Sequence, residues 1–141
     1  MTNEPIIITP DFVWPEPDAD GIRILANGAV IRRGAVIGQG ASIGRGAVIG
    51  PDAVIGQDAV IGQGARVGPN ARWIACVGFA DGYYKDLCAV GDVAYIGAGC
   101  RWFTLGEALR HWGDHEEDRR ATMALMEGAK ALATLNNLKW E

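Results

Sequence analysis

The sequence predicts a mostly β chain built on a short parallel β-helix, continued by a β-extension and closed by a C-terminal two-helix tail. Three columns at a spacing of six residues predict the β-helix. One column holds Leu25, Ile31, Ile37, Ile43, Ile49, Ile55, Ile61 and Val67. A second is an unbroken run of alanines: Ala29, Ala35, Ala41, Ala47, Ala53, Ala59, Ala65 and Ala71. The third, three residues after each aliphatic, contains only Gly28, Gly34, Gly40, Gly46, Asp52, Asp58, Gly64 and Asn70. Repeats at so short a period signal a solenoid, in which each unit buries its apolar face against its neighbours. The expected segments are a lead-in or cap over residues 1–23, the repeat over 24–78, the β-extension over 79–103 and the helical tail over 104–141.

Composition narrows the classes of partner. A net charge of −4 over 141 residues argues against general affinity for nucleic acid or an anionic membrane, leaving room only for local basic patches. No apolar run approaches the roughly 18 residues that span a bilayer. Met1-Thr2-Asn3-Glu4-Pro5 lacks the basic start and apolar core of a signal peptide. Cys76, Cys88 and Cys100 form an odd set without a paired motif, which reads as free thiols in a reducing compartment. Zinc ligands come as closer pairs than these, so no metal site is expected.

In the lead-in, Ile6-Ile7-Ile8-Thr9 is strand-like and bounded by Pro5 and Pro10. Phe12, Val13 and Trp14 follow in a Pro- and Asp-rich loop and are expected to cover the open end of the solenoid. Within each repeat, strand alternation turns the alanine and the following aliphatic inward and the residue between them outward. Pro51 and Pro69 immediately precede Asp52 and Asn70. That order matches a type II turn, with proline at the first central position and a residue tolerant of positive φ at the second.

These columns resemble the hexapeptide-repeat family. The resemblance implies a left-handed parallel β-helix of triangular section, three hexapeptides to a coil, and frequent assembly as trimers. Eight or nine hexapeptides then make about three coils, a prism only about 14 Å tall. The outward column reads Val30, Val36, Ser42, Val48, Val54, Val60, Arg66 and Arg72. Residues eighteen apart share a face, so all three faces carry valines. Packing between copies explains them better than exposure to water does, and a homotrimer is expected.

Beyond Asn70 the repeat dissolves. Residues 83 to 90 and 93 to 103 read as two strands joined by a tight turn at Gly91-Asp92. Thr104 and Glu107 have the spacing of a capping box for a short helix that ends at Gly113. Asp114 and Glu117 repeat that spacing ahead of a longer helix reaching about Asn136, with Glu116, Glu117 and Asp118 suited to its positive end. Its expected buried stripe is Ala124, Gly128, Ala131, Leu135 and Leu138, with Leu125 and Leu132 beside it. The block of Asp81-Gly82-Tyr83, Tyr95 to Thr104 and Glu107 to Trp112 resembles an extension found on hexapeptide-repeat proteins of phages and prophages. That resemblance implies a phage-encoded protein located in the host cytoplasm or in a virion.

The family includes acyltransferases that use a histidine base and carbonic anhydrases with a three-histidine zinc site. Here the repeat holds no histidine, and the chain has two in all, His111 and His115. Gly113 and Asp114 interrupt the helix between them, spoiling a shared metal face. His111 survives as a minority candidate base beside a packing role, and His115 reads as a capping or surface residue. Arg66, Arg72 and Arg101, with Tyr83 and Trp102 as stacking groups, are the candidate ligand-binding residues, able to converge on an anion at subunit interfaces. The same arginines also suit interface ion pairs. The leading expectation is a non-enzymatic homotrimeric binding or structural module without a cofactor, its partners being further copies of itself, a small anionic ligand or phage structural proteins. An acyltransferase-like enzyme using acetyl-CoA or a similar donor is the alternative.

Overall fold

The computed structural model describes residues 2–99, 101–114 and 117–141; the expectations placed on Cys100, His115 and Glu116 lie outside the described residues. Short strands come first: β1 (Ile6–Ile7), β2 (Arg23–Ile24), β3 (Val30–Ile31), β4 (Val36–Ile37), β5 (Ser42–Ile43), β6 (Val48–Ile49), β7 (Val54–Ile55), β8 (Val60–Ile61) and β9 (Arg66–Val67). Longer strands follow, β10 (Arg72–Ala80), β11 (Tyr83–Val90), β12 (Val93–Ala98) and β13 (Arg101–Thr104), then helices α1 (Leu105–Gly113) and α2 (Arg120–Leu135). The chain is mostly β with two helices, as its sequence predicts.

Parallel pairing joins repeat strands eighteen residues apart, giving the ladders β3–β6–β9, β4–β7–β10 and β5–β8. Register stacks column on column: Val30 opposite Val48, Ile37 opposite Ile55, Ile49 opposite Val67. The interior is filled by Ile43, Ile49, Ile55, Ile61 and Val67 with Ala41, Ala47, Ala53, Ala59 and Ala65, all buried. At the corners the alanine amide donates to a carbonyl three residues back, as in Ala53 to Gly50 at 3.3 Å. The third column takes positive φ throughout, including Asp52 at 59°, Asp58 at 60° and Asn70 at 58°. These are the type II turns that Pro51 and Pro69 announce. A separate glycine column follows each aliphatic from residue 37 onward, for a different reason. A Cβ on Gly38, Gly44 or Gly50 would lie 2.5, 2.5 or 2.6 Å from the backbone of the strand connection stacked above it. The arrangement is consistent with a hexapeptide-repeat β-helix.

The lead-in covers the first repeats. β1 pairs antiparallel with β5, and β2 antiparallel with β3. Asn27 is buried yet satisfied, its amide donating to the Glu4 and Ile43 carbonyls at 3.0 Å each and its oxygen accepting from the Ala29 amide at 3.2 Å. Phe12 and Trp14 meet edge to face at 4.8 Å and pack against the repeat core. Val13 does not join them. It is 86% exposed, because successive side chains of an extended segment face opposite ways.

β10 is the joint of the molecule. Its first residue, Arg72, pairs with Val54 in a repeat ladder, and the rest of the strand begins the antiparallel sheet β10–β11–β12–β13. The strand expected over residues 93 to 103 is two strands, because Gly99 turns the chain at φ 57°. One face of this sheet, with Trp73, Cys88, Val90 and Trp102, packs on the repeat core. The other, with Leu87, Ala89, Ile96 and Ala98, receives the helices. Glycines permit the close docking: a Cβ on Gly62 would meet the Tyr84 ring at 2.2 Å, and one on Gly68 the Trp102 indole at 2.1 Å. The C-terminal segment lies beside β12, where Lys139 exchanges backbone hydrogen bonds of 2.7 Å with Asp92 and Ala94.

The capping box of α1 forms as expected: the Glu107 amide donates to the Thr104 hydroxyl at 3.1 Å, and the Thr104 amide to the Glu107 carboxylate at 2.9 Å. The second expected box does not. α2 starts at Arg120 without a side-chain cap from its own N-cap residue, Arg119, so Glu117 and Asp118 precede the helix and no acid sits in its first turn. The carboxylate at this helix end is supplied from far away in sequence, by Asp81, which accepts the Thr122 hydroxyl. Docking also rotates the helix relative to the expected stripe. Thr122, Met126, Ala129 and Ala133 are buried, whereas Ala124, Gly128, Ala131 and Leu135 face outward and only Leu138 of that set is buried. The choice between two faces rich in small residues is made by the sheet surface. Gly68→Ala should lower unfolding stability by about 1–3 kcal/mol through overpacking against Trp102. Urea denaturation followed by tryptophan emission checks this, with Gly56→Ala, where a Cβ meets nothing within 4 Å, as the near-neutral control.

Candidate functional site

A cleft of about 460 Å3 opens where the β10–β11 turn, the β12–β13 turn, the end of α1 and the start of α2 converge. Strand alternation in β11 puts Lys85 on the helix-facing side, and Lys85 is only 2% exposed. Its ammonium donates to the Ala80 carbonyl and, at 3.1 Å, to the Tyr83 carbonyl. The rings of Tyr83 and Trp112 lie 6.0 and 5.8 Å away. Burial lowers the Lys85 pKa, an effect opposed by the nearby Asp81 carboxylate. Asp81 itself is held below the usual carboxylate range, chiefly by the Thr122 hydroxyl.

Two further cations line the same cleft, Arg101 from β13 and Arg119 ahead of α2. Arg119 donates to the Asp118 carbonyl at 3.2 Å. Among the described residues, the ion pairs within 4.0 Å are Lys130 with Glu127 and Lys139 with Asp92. Lys85, Arg101 and Arg119 therefore line the cleft without a carboxylate within 4.0 Å among the described residues. His111 also lines it, half-buried, with its ring 5.7 Å from Phe103 and 5.6 Å from Trp112.

Of the residues singled out from the sequence, the cleft brings together Arg101, Tyr83 and His111. Trp102 lies on the opposite face of the sheet, stacked on Tyr95 at 5.2 Å and covering Gly68. Arg66 and Arg72 sit on two different ladders of the repeat, beside Val48 and Val54. Arg66 is half-buried, and its Nε is enclosed without a hydrogen-bond partner among the described residues. Lys85 and Arg119 were not singled out from the sequence. A signal for Lys85 was present, since Lys85 and Asp86 interrupt a strand that is apolar beyond them.

Asp86 points the other way from Lys85, into the seam between sheet and repeat. It is fully buried, accepts the Trp73 indole N–H at 3.0 Å on one oxygen, and leaves its second oxygen without a partner among the described residues. Desolvation pushes its pKa up to about 6, against the opposing pull of that indole bond. Cys76 and Cys88 are unpaired thiols in the same seam, both raised by burial first and by the Asp86 charge second.

Residues 40–72 match the family model described as bacterial transferase hexapeptide (six repeats). No curated protein and no solved structure matches the chain. The match supports a hexapeptide-repeat protein and covers the later part of the repeat stretch, leaving the first repeats and the cleft-lining residues outside it. No helix among the described residues is long and apolar enough to cross a membrane.

The folded pKa of Asp86 lies above its unfolded value of 3.8, so the native state holds the proton more tightly. The contribution of Asp86 to stability is then greatest below the unfolded pKa and falls as pH rises to about 6. The loss is on the order of 3 kcal/mol. Asp86→Asn keeps an acceptor for the Trp73 indole and removes the charge. Its melting temperature should exceed that of the wild-type protein at pH 7.5, with the difference shrinking toward pH 4. Thermal unfolding across that pH range reads both effects.

Proposed function

We propose that this chain is a non-enzymatic homotrimeric module, a binding or structural scaffold whose hexapeptide stretch forms a left-handed β-helix. The observation that carries this reading is the apolar surface on two ladders of the repeat. Val36 and Val54 are cross-strand neighbours that are 60% and 43% exposed. Ile7 and Val60 flank Ser42 on another ladder and are 49% and 54% exposed. A closed ring of three copies needs two different faces per copy, one meeting the other face of the next. Two rows of exposed β-branched residues on separate faces suit that demand, and burial between copies removes them from water.

Arg72 continues the row of Val36 and Val54, whereas Arg66 continues that of Val30 and Val48. Because they occupy different faces, a small anionic ligand held by both types of arginine lies at a seam between copies. The resemblance of residues 80 to 112 to phage-associated extensions supports a phage-encoded setting, as virion component or accessory protein. A second reading, an acyltransferase-like enzyme, rests on His111, an imidazole lining a cleft beside cationic groups. Imidazole has the pKa range a general base needs.

Native mass spectrometry should give a trimer of about 45 kDa, three times the 15.0 kDa chain. Val36→Asp with Val54→Asp should yield a folded monomer, since both side chains face solvent in the single chain. A wild-type monomer would contradict the trimer. Incubation with acetyl-CoA and amine or hydroxyl acceptors should show no turnover; turnover abolished by His111→Ala would establish the second reading instead.

A further inference from the structure

We propose that the cleft between the antiparallel sheet and the two helices binds a compact oxyanion, a carboxylate or a phosphate group, on Lys85, Arg101 and Arg119. The site is contained within one chain and does not rest on trimer formation. Its built element is Lys85, a residue only 2% exposed that nonetheless lines the cleft. An ammonium has three donors. Two go to the Ala80 and Tyr83 carbonyls, and one remains for a ligand. Among the described residues no carboxylate lies within 4.0 Å of it.

A buried cation of this kind is costly unless a negative group pairs with it. The lining acid Asp81 accepts the Thr122 hydroxyl at the start of α2 and acts on Lys85 and Arg119 through its charge without an ion pair within 4.0 Å among the described residues. Arg101 and Arg119 add planar forks that match carboxylate and phosphate geometry. Arg101 is exposed on the β13 side and Arg119 is exposed ahead of α2, so an anion entering between them meets both before reaching the ammonium. The volume of about 460 Å3 lies within the range of small-ligand sites. The rings of Tyr83 and Trp112, already beside the ammonium, give any organic portion of the ligand an apolar wall.

Isothermal titration with inorganic phosphate and, separately, malonate, at fixed ionic strength in chloride, tests the site. Saturable binding of either ion at one per chain is expected, weakened at least tenfold by Arg101→Ala and by Arg119→Ala and unchanged by Arg45→Ala, an exposed turn residue of the repeat away from the cleft lining. Binding of phosphate alone or malonate alone identifies the ligand class. Both arginines are exposed, so loss of binding in a variant with unchanged circular dichroism reports the site and not the fold. The Val36→Asp, Val54→Asp variant should bind as the wild type does, which separates this site from the question of trimer formation. Absence of saturable binding of both ions, or equal affinity in the Arg101→Ala, Arg119→Ala double variant, would overturn the proposal.

Discussion

The seam between the repeat and the antiparallel sheet is the contact on which the rest of the structure depends. The repeat is a stack with an apolar interior, and its last strand would otherwise expose both that interior and an unpaired backbone edge. β10 continues one of the three ladders into the sheet, leaving it at Arg72 to become the first antiparallel strand, while β8 and β9 end theirs. The sheet then lays Trp73, Cys88, Val90 and Trp102 against the repeat core. Gly62 and Gly68 admit Tyr84 and Trp102 at distances no side chain there would allow. Those glycines belong to the repeat, so the repeat is shaped to receive the layer that follows it.

The same seam sets where polar chemistry can sit. β11 is buried on both faces, and its two adjacent charged residues are divided between them by alternation. Asp86 enters the seam, where desolvation raises its pKa to about 6. Lys85 enters the helix side, where two carbonyls hold it at the wall of the cleft. Both are costly placements, and they occur in the part of the chain that lies outside the hexapeptide match. The interior of the repeat, by contrast, is filled by aliphatic residues and alanines, with Asn27 satisfied where the lead-in closes it.

Much of the repeat was legible in the sequence because local rules and tertiary packing demand the same residues there. The column of Gly, Asp and Asn reads directly as positive φ, and each of those residues adopts it. Gly38, Gly44 and Gly50, each following an aliphatic, were legible as a pattern but not as a cause, since the clash they avoid is with backbone about one coil further on. The cap of α1 was readable because both partners lie within four residues. The cap of α2 was not, because its carboxylate comes from Asp81, forty-one residues before Thr122. The buried face of α2 was misread for a related reason: Ala124, Gly128 and Ala131 form as good a small-residue stripe as Ala129 and Ala133, and only the sheet decides between them. The cleft draws its cations from three separate segments, so Arg101 was visible as a candidate while Lys85 and Arg119 acquire their role only from the fold.

If the seam holds repeat and sheet together, the two parts unfold as one unit. Native-state hydrogen exchange measures this most directly. The amides of Val48 and Val54 in the repeat and of Leu87 and Ile96 in the sheet should exchange through one opening of common free energy and a common dependence on denaturant. Exchange of Leu87 and Ile96 through a separate, lower-energy opening, with Val48 and Val54 still protected, would show that the sheet is an independent appendage and would contradict the account.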